Sequence, residues 1–372
     1  MLFLRLKIAI IYVLFRNACS LIVSSDVSRF YCVGFILVSI GILQIISGIF
    51  VGILYVWTGV NTGFWSIICI WDVSSGWALR VFHSVGTSFI FGTLFLHLLK
   101  ALFNAISNSG SGGFTVWISG WFMLALILVV SFLGYVLPLS SMSYWGLTVF
   151  SNVVTTVPVV GEWFCIWLWG SEFVSDFTVR RCLILHIFIP GLIIWGSAVH
   201  VWVLHFWAGS DGLSDRGATY VEKVWFINFF LLRDLCALVL VCLVFSILGI
   251  SAWWWWFHEE MWIPVNVLVT SEKVVPEWFV ISFFGLLKSI PVKGVGFLAV
   301  ILWFAFTVIL LLFISISNFK LDLFMFTYWT NLIFIWVFIG ICGGVVLLVY
   351  PVVCVLQVLI LLTWVIWILK IS

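Results

Sequence analysis

The chain has 372 residues, of which 65% are apolar and only 8% charged, with a formal net charge of +2. A soluble domain carries about 25% charged residues, whereas the charges here cluster between long apolar runs, which excludes a soluble globular enzyme and a disordered chain. So small a net charge also excludes a nucleic-acid partner, and what remains is a polytopic membrane protein.

Taken in chain order, Met1 to Val23 mixes Arg5, Lys7 and Arg16 with apolar residues and reads as an amphipathic surface helix leading into the first span. Stretches of about 20 apolar residues predict eight spans, near 31–56, 76–103, 114–136, 177–205, 226–250, 293–317, 322–341 and 345–369. A lipid-exposed backbone must pair its own N–H and C=O groups, and the runs are too long for barrel strands, so the expected fold is all-α with eight transmembrane helices. Asn108 to Gly113 reads as a turn between the second and third helices. The connections 137–176 and 251–292 are long and carry Pro, Trp and short apolar pieces, as ordered functional loops do. The polar stretch from Phe206 to Trp225 separates four spans from four and divides the chain into an N-terminal domain, 1–215, and a C-terminal domain, 216–372. Eight spans put both termini on one side, which then holds ten Lys and Arg against six, the bias of a positive-inside compartment. The nine cysteines are scattered without a CxxC pattern and read as small core residues.

Four of the six histidines form two pairs, His83 with His97 and His186 with His200, each separated by 14 positions within one expected span. Fourteen helical steps return to within about 40° of the starting face and rise about 21 Å. Two such helices facing one another offer one imidazole each at two levels, which is what two bis-histidine haems stacked across a bilayer require. A single intramembrane histidine is as readily a packing residue or a proton relay. Two pairs at one spacing argue against both, and zinc would want its ligands converging on one point. Gly34 and Gly48 in the first span, and Gly120 and Gly134 in the third, repeat the interval of 14. Without a Cβ the backbone can approach a flat ring, although small residues also serve plain helix packing. Arg80, Lys100 and Arg181 lie within five positions of a histidine, where they suit haem propionates or simple snorkelling at helix ends.

The loops carry more specific patterns. Gly134-Tyr135-Val136-Leu137-Pro138 and Met142-Ser143-Tyr144-Trp145-Gly146 mark the first long connection, and Pro276-Glu277-Trp278-Phe279 and Leu287-Lys288-Ser289-Ile290-Pro291 the second. With these segments in this order, the chain from about 28 to 317 resembles the mitochondrial cytochrome b family. That family is the di-haem, quinone-reacting subunit of ubiquinol–cytochrome c reductase, respiratory complex III. The departures are Lys100 where the family has Arg, Leu139-Ser140 where it has Trp-Gly, and Phe279 and Phe284 where Tyr is usual. The segment Trp253 to Glu260 also differs from the family's acidic, proline-rich connection.

The resemblance implies two non-covalent b-type haems. His83 and His186 would hold the low-potential one near the intermembrane side, and His97 and His200 the high-potential one near the matrix. Gly34, Gly48, Gly120 and Gly134 would give the rings room, with Arg80, Lys100 and Arg181 beside them. It further implies a quinol-oxidation pocket of Tyr135, Met142, Gly146, Pro276, Glu277, Phe279 and Phe284, and a quinone-reduction pocket of His205, Arg233 and Asp234. Ubiquinol and ubiquinone are the implied substrates. A Rieske-type iron–sulfur protein, a cytochrome c-type subunit and other complex III subunits are the implied partners, in a dimeric complex of the mitochondrial inner membrane. In that reading Glu277 takes protons from quinol; a carboxylate after Pro276 at a helix start is the plainer alternative. Arg233 and Asp234 are likewise open to being a local ion pair. The rival assignment is a di-haem membrane anchor of another quinone-linked dehydrogenase.

Overall fold

The computed structural model describes residues 22–24, 32–55, 70, 72–107, 111–204, 223–251, 259–271 and 274–316. The long helices are α1 (Cys32–Leu54), α2 (Gly76–Ser107) and α3 (Ser111–Val136). Two short helices, α4 (Ser141–Val154) and α5 (Gly161–Trp169), precede α6 (Asp176–Val203). Then follow α7 (Leu232–Ser251), the short α8 (Ile281–Ser289) and α9 (Lys293–Ile316). Five of them are long and apolar enough to cross a membrane, over Cys32–Leu54, Gly76–Ala101, Thr115–Val136, Asp176–Val203 and Phe229–Ser251. Their outward faces are apolar, with Ile53 72% and Trp195 69% exposed, as lipid contact requires and water would not tolerate. The chain is therefore an all-α, multi-pass membrane protein. The sixth expected span coincides with α9; those at 322–341 and 345–369 lie outside the described residues.

Three local expectations are corrected. Ile22–Ser24 forms a short strand, β1, antiparallel to β2 (Lys223–Trp225), so the amphipathic helix does not extend to Val23. The β-branched residues Ile22, Val23 and Val224 favour that pairing. Helix α3 begins at Ser111, so Gly112 and Gly113 belong to its first turn rather than to the connecting turn. The start of the fifth span is also irregular: a π-turn over Ile227–Leu231 leads into α7.

Helix α1 packs on α2, and α3 on α6, so the two histidine-bearing helices each have a glycine-bearing neighbour. The first long connection is folded against this bundle by α4. Leu133 and Val136 of α3, Tyr144 and Leu147 of α4, Val174, and Cys182 and Ile189 of α6 form one buried cluster. At the corner Leu139 adopts φ 50°, a left-handed conformation costly for a side chain with a Cβ. Burial of that side chain to 1% exposure offsets the cost. The next residue, Ser140, caps α4 by accepting the Ser143 N–H at 3.3 Å, and its hydroxyl donates to the Met261 sulfur at 3.3 Å. Ser140 also pairs with Pro264 as an isolated bridge. Leu139-Ser140 thus ties the first connection to the second.

Candidate functional site

The four spaced histidines come together in pairs across the bundle. His83 of α2 faces His186 of α6 with ring centroids 6.1 Å apart, and His97 faces His200 at 6.3 Å. Two imidazoles bound on opposite sides of one metal, with bonds of about 2 Å, place their centroids about 6 Å apart. Each pair therefore has the separation expected of two imidazoles that would hold one metal ion between them. Each ring also has a backing glycine. A Cβ added at Gly48 would stand 2.9 Å from His83 Cε1, and one at Gly134 2.5 Å from His186 Cε1. At the other level the corresponding distances are 3.5 Å for Gly34 against His97 and 3.3 Å for Gly120 against His200. The glycines are needed first by the histidine edges, which a Cβ at Gly48 or Gly134 would displace.

The outward-facing ring nitrogens differ in their partners. His186 Nδ1 meets the Val130 carbonyl at 2.8 Å, His83 Nδ1 the Ser47 hydroxyl at 3.0 Å, and His200 Nδ1 the Ser119 hydroxyl at 2.7 Å. His97 Nδ1 is buried without a hydrogen-bond partner among the described residues. Gln44 adds a brace at the first level, its side-chain amide donating to the His83 carbonyl at 2.6 Å. Spacing arguments missed Gln44, Ser47 and Ser119 because a polar residue on a helix face has no period of its own.

Two guanidinium groups, three residues before His83 and five before His186, have hydrogen-bonding capacity unused among the described residues. Arg80 is 6% exposed, stacks over the Trp262 ring at 4.6 Å, and its Nη1 has no hydrogen-bond partner. Arg181 stacks over Trp167 at 5.1 Å and its Nη1 is likewise buried and unpartnered. A buried donor left open is costly, and two carboxylate groups arriving with a ligand would satisfy both. Lys100 lies toward the other end of α2.

Near the His83 end the two long connections meet. Gly146 lies against the Tyr135 ring, 3.8 Å from where its Cβ would be, and Met142 is fully buried. Tyr135 is close enough to Glu277 and Glu260 to feel both charges, and Glu260 is a carboxylate that sequence reasoning left without a role. Burial pushes the Glu277 carboxyl up to about 7. Its loop is pinned on both sides: Trp278 donates to the Ser88 hydroxyl at 3.1 Å, and Phe279 stacks on Phe91 at 3.9 Å and 9°. Phe279 therefore turns into the bundle, in a cluster with Phe91, Leu94 and Leu124. Glu277 also opens a turn, its carbonyl accepting the N–H groups of Val280 at 2.9 Å and Ile281 at 3.1 Å just before α8. Phe284 lies on α8 beneath the Lys288 ammonium, 5.0 Å from its ring, and Pro276 is half-buried.

At the other end Arg233 and Asp234 form an ion pair at 3.7 Å directly after the π-turn. Such turns recur at functional sites. His205 lies outside the described residues.

Comparison with known proteins gives a consistent result. Residues 18–208 match the family described as cytochrome b/b6/petB, and residues 264–369 match cytochrome b(C-terminal)/b6/petD. Cytochrome b of Trypanoplasma borreli is 38% identical over 361 residues, 95% of this chain and 94% of that one. Cytochrome b of Leishmania tarentolae is 38% identical over 302 residues, covering 81% and 80%. That of Arabidopsis thaliana is 34% identical over 264 residues, covering 71% and 66%. A solved chain of a hyperthermophilic respiratory Complex III superposes with a TM-score of 0.76 over 91% of this chain and 89% of its own, at 21% identity, a likeness of fold.

Proposed function

Because this chain belongs to the cytochrome b family, we propose that His83 with His186, and His97 with His200, ligate its two non-covalent b-type haems. The chain is the core redox subunit of a quinol-oxidising, cytochrome-reducing respiratory complex, the catalytic subunit of quinol–cytochrome c oxidoreductase. The observation that carries the ligand assignment is the spacing of the two imidazole pairs, 6.1 and 6.3 Å between centroids. The open donors of Arg80 and Arg181 fit the propionates, and Lys100 takes that part at the His97 end. Gly34, Gly48, Gly120 and Gly134 keep the ligand rings from being displaced.

When bound, the haems supply one-electron carriers at two depths. The chain's own residues do the rest. Quinol losing two electrons also loses two protons, and in an apolar pocket between the two connections, beside Met142 and Phe284 and closed from the bundle side by the loop that Phe279 anchors, a proton needs a titratable acceptor. Glu277, poised at about 7, is that acceptor. Tyr135 and Gly146 form the opposite wall, and Pro276 holds the approach to Glu277 extended. Trp278 and Phe279 keep the loop seated on α2, and this excludes water from the reacting oxygen. On the far side Asp234, with Arg233 and His205, returns protons to quinone.

The same reading places eight helices across the mitochondrial inner membrane with both termini in the matrix. The quinol pocket then faces the intermembrane side, at the low-potential His83–His186 level, and the His97–His200 haem is the high-potential one near the matrix. The separate matches over 18–208 and 264–369 support two domains meeting near 215 and 216. A Rieske-type iron–sulfur protein, a cytochrome c-type subunit and further complex III subunits complete a dimeric assembly, with ubiquinol and ubiquinone as substrates. The test is a reduced-minus-oxidised spectrum of the purified complex. Two b haems per chain are expected, and one after His186→Leu or His200→Leu; two haems persisting in either variant overturns the ligand assignment.

A further inference from the structure

We propose that Ser119 is a positioning residue for the His97–His200 haem: its hydroxyl holds the Nδ1 proton of His200 and so sets the reduction potential of that haem alone. The inference rests on the ligand assignment above.

A serine hydroxyl has one proton to give. That of Ser119 goes to the Val116 carbonyl, one turn earlier in α3, at 2.8 Å. Toward His200 the same oxygen can only accept, so at 2.7 Å it takes a hydrogen bond from Nδ1–H. His200 is thereby fixed in the tautomer whose Nε2 lone pair is free for iron. An imidazole that gives its Nδ1–H to an acceptor is a more basic ligand, and a more basic ligand favours the ferric state.

The device has a sequence form, Ser followed by Gly. Gly120 lets the ring approach and Ser119 catches its nitrogen; Gly48 and Ser47 treat His83 in the same way. The other two glycines follow Val33 and Leu133, which have no hydroxyl. At the His83–His186 level both ligands have acceptors, and one of them is the Val130 backbone carbonyl. At the His97–His200 level His97 Nδ1 has none among the described residues, so there the one outer hydrogen bond on a ring nitrogen is that of Ser119. One hydroxyl therefore adjusts one haem.

The experiment is a potentiometric titration of both haems in the intact complex. Losing one hydrogen bond to an uncharged acceptor corresponds to about fivefold in the ferrous-to-ferric ratio at fixed ambient potential. That is an upward shift of about 40 mV at 59 mV per decade. Ser119→Ala is expected to give this shift in the haem that His200→Leu removes, with the other haem unchanged. Ser119→Thr, which keeps a hydroxyl, should retain the wild-type value. Ser197→Ala is the control: its hydroxyl donates to the Ile193 carbonyl at 2.7 Å three residues before His200, and its loss should move neither haem. If Ser119→Ala fails to assemble, Ser119→Cys, with its weaker acceptor, should shift the same haem upward by less. Unchanged potentials in the alanine variant, or in the cysteine variant that replaces it, overturn the proposal, as does an equal shift in Ser119→Thr or Ser197→Ala. If His200→Leu leaves both haems in place, it is the ligand assignment that fails; if it removes one while Ser119→Ala moves nothing, only the role of Ser119 fails.

Discussion

Glu277 shows how burial becomes chemistry. A carboxyl raised to about 7 is protonated at pH 6 and ionised at pH 8, and only the ionised form accepts a proton from quinol. Quinol oxidation is expected to rise with pH through about 7, and Glu277→Gln to remove that inflection and slow the reaction about a hundredfold while both haem spectra persist. Steady-state rates across pH, paired with haem quantitation, check both; an unchanged profile in the variant would exclude the role. The sign for stability is the reverse. The folded state holds this proton more tightly than the unfolded one, so the carboxyl's contribution is complete below about 4.5 and is lost as pH rises through about 7. The histidines were legible in the sequence because an interval of 14 is a statement about one helix face. Glu260, Ser47 and Ser119 were not, because each acts through a contact made by a different element. Phe279 was legible as a motif position, but its inward stacking on Phe91 depends on where the loop lands against α2.

At the level of elements, the glycine-bearing helices govern how closely the histidine-bearing helices approach. An added methyl at Gly134 or Gly48 would stand 2.5 or 2.9 Å from a ring carbon, closer than packed atoms sit, whereas at Gly120 and Gly34 the distances are 3.3 and 3.5 Å. Alanine at Gly134 or Gly48 is expected to cost haem at the His83–His186 level, and alanine at Gly34 to be tolerated. Absorbance of b haem per chain in the three variants checks this order, and equal losses at Gly34 and Gly134 would contradict it. The second loop is held by the Phe91–Phe279 stack, a contact worth about 1 kcal/mol beyond its buried area. Phe279→Leu should raise the KM for quinol about fivefold without altering the haem potentials. The five spans identified among the described residues were readable because twenty apolar residues have one solution in lipid. The β1–β2 pair was not, since three-residue strands carry no pattern and their partners lie about 200 residues apart. Nor was the start of α3 at Ser111, which takes Gly112 and Gly113 into its first turn, where helix continuity overrides the turn preference of glycine.

Across the whole molecule, two chemical ends are separated along α2. The Trp262 and Glu277 loops flank its Arg80 end, and the Arg233–Asp234 pair and Cys32 lie toward Lys100. On the proposed site assignment, this polarity would give the quinol-oxidising and quinone-reducing faces separate surroundings, with the imidazole pairs between them. The proposed eight-span orientation rests on the charge bias: tags on both termini should be reached by protease from the matrix side only, and access to one of them from the other side would refute it. The central claim is the pairing of ligands at two depths, and double replacement tests it most directly. Haem content of the purified complex is measured for His83→Leu with His186→Leu, and for His83→Leu with His200→Leu. The first combination empties one level and should leave one haem per chain; the second breaks both levels and should leave none. Equal haem content in the two double variants would contradict the pairing on which the rest is built.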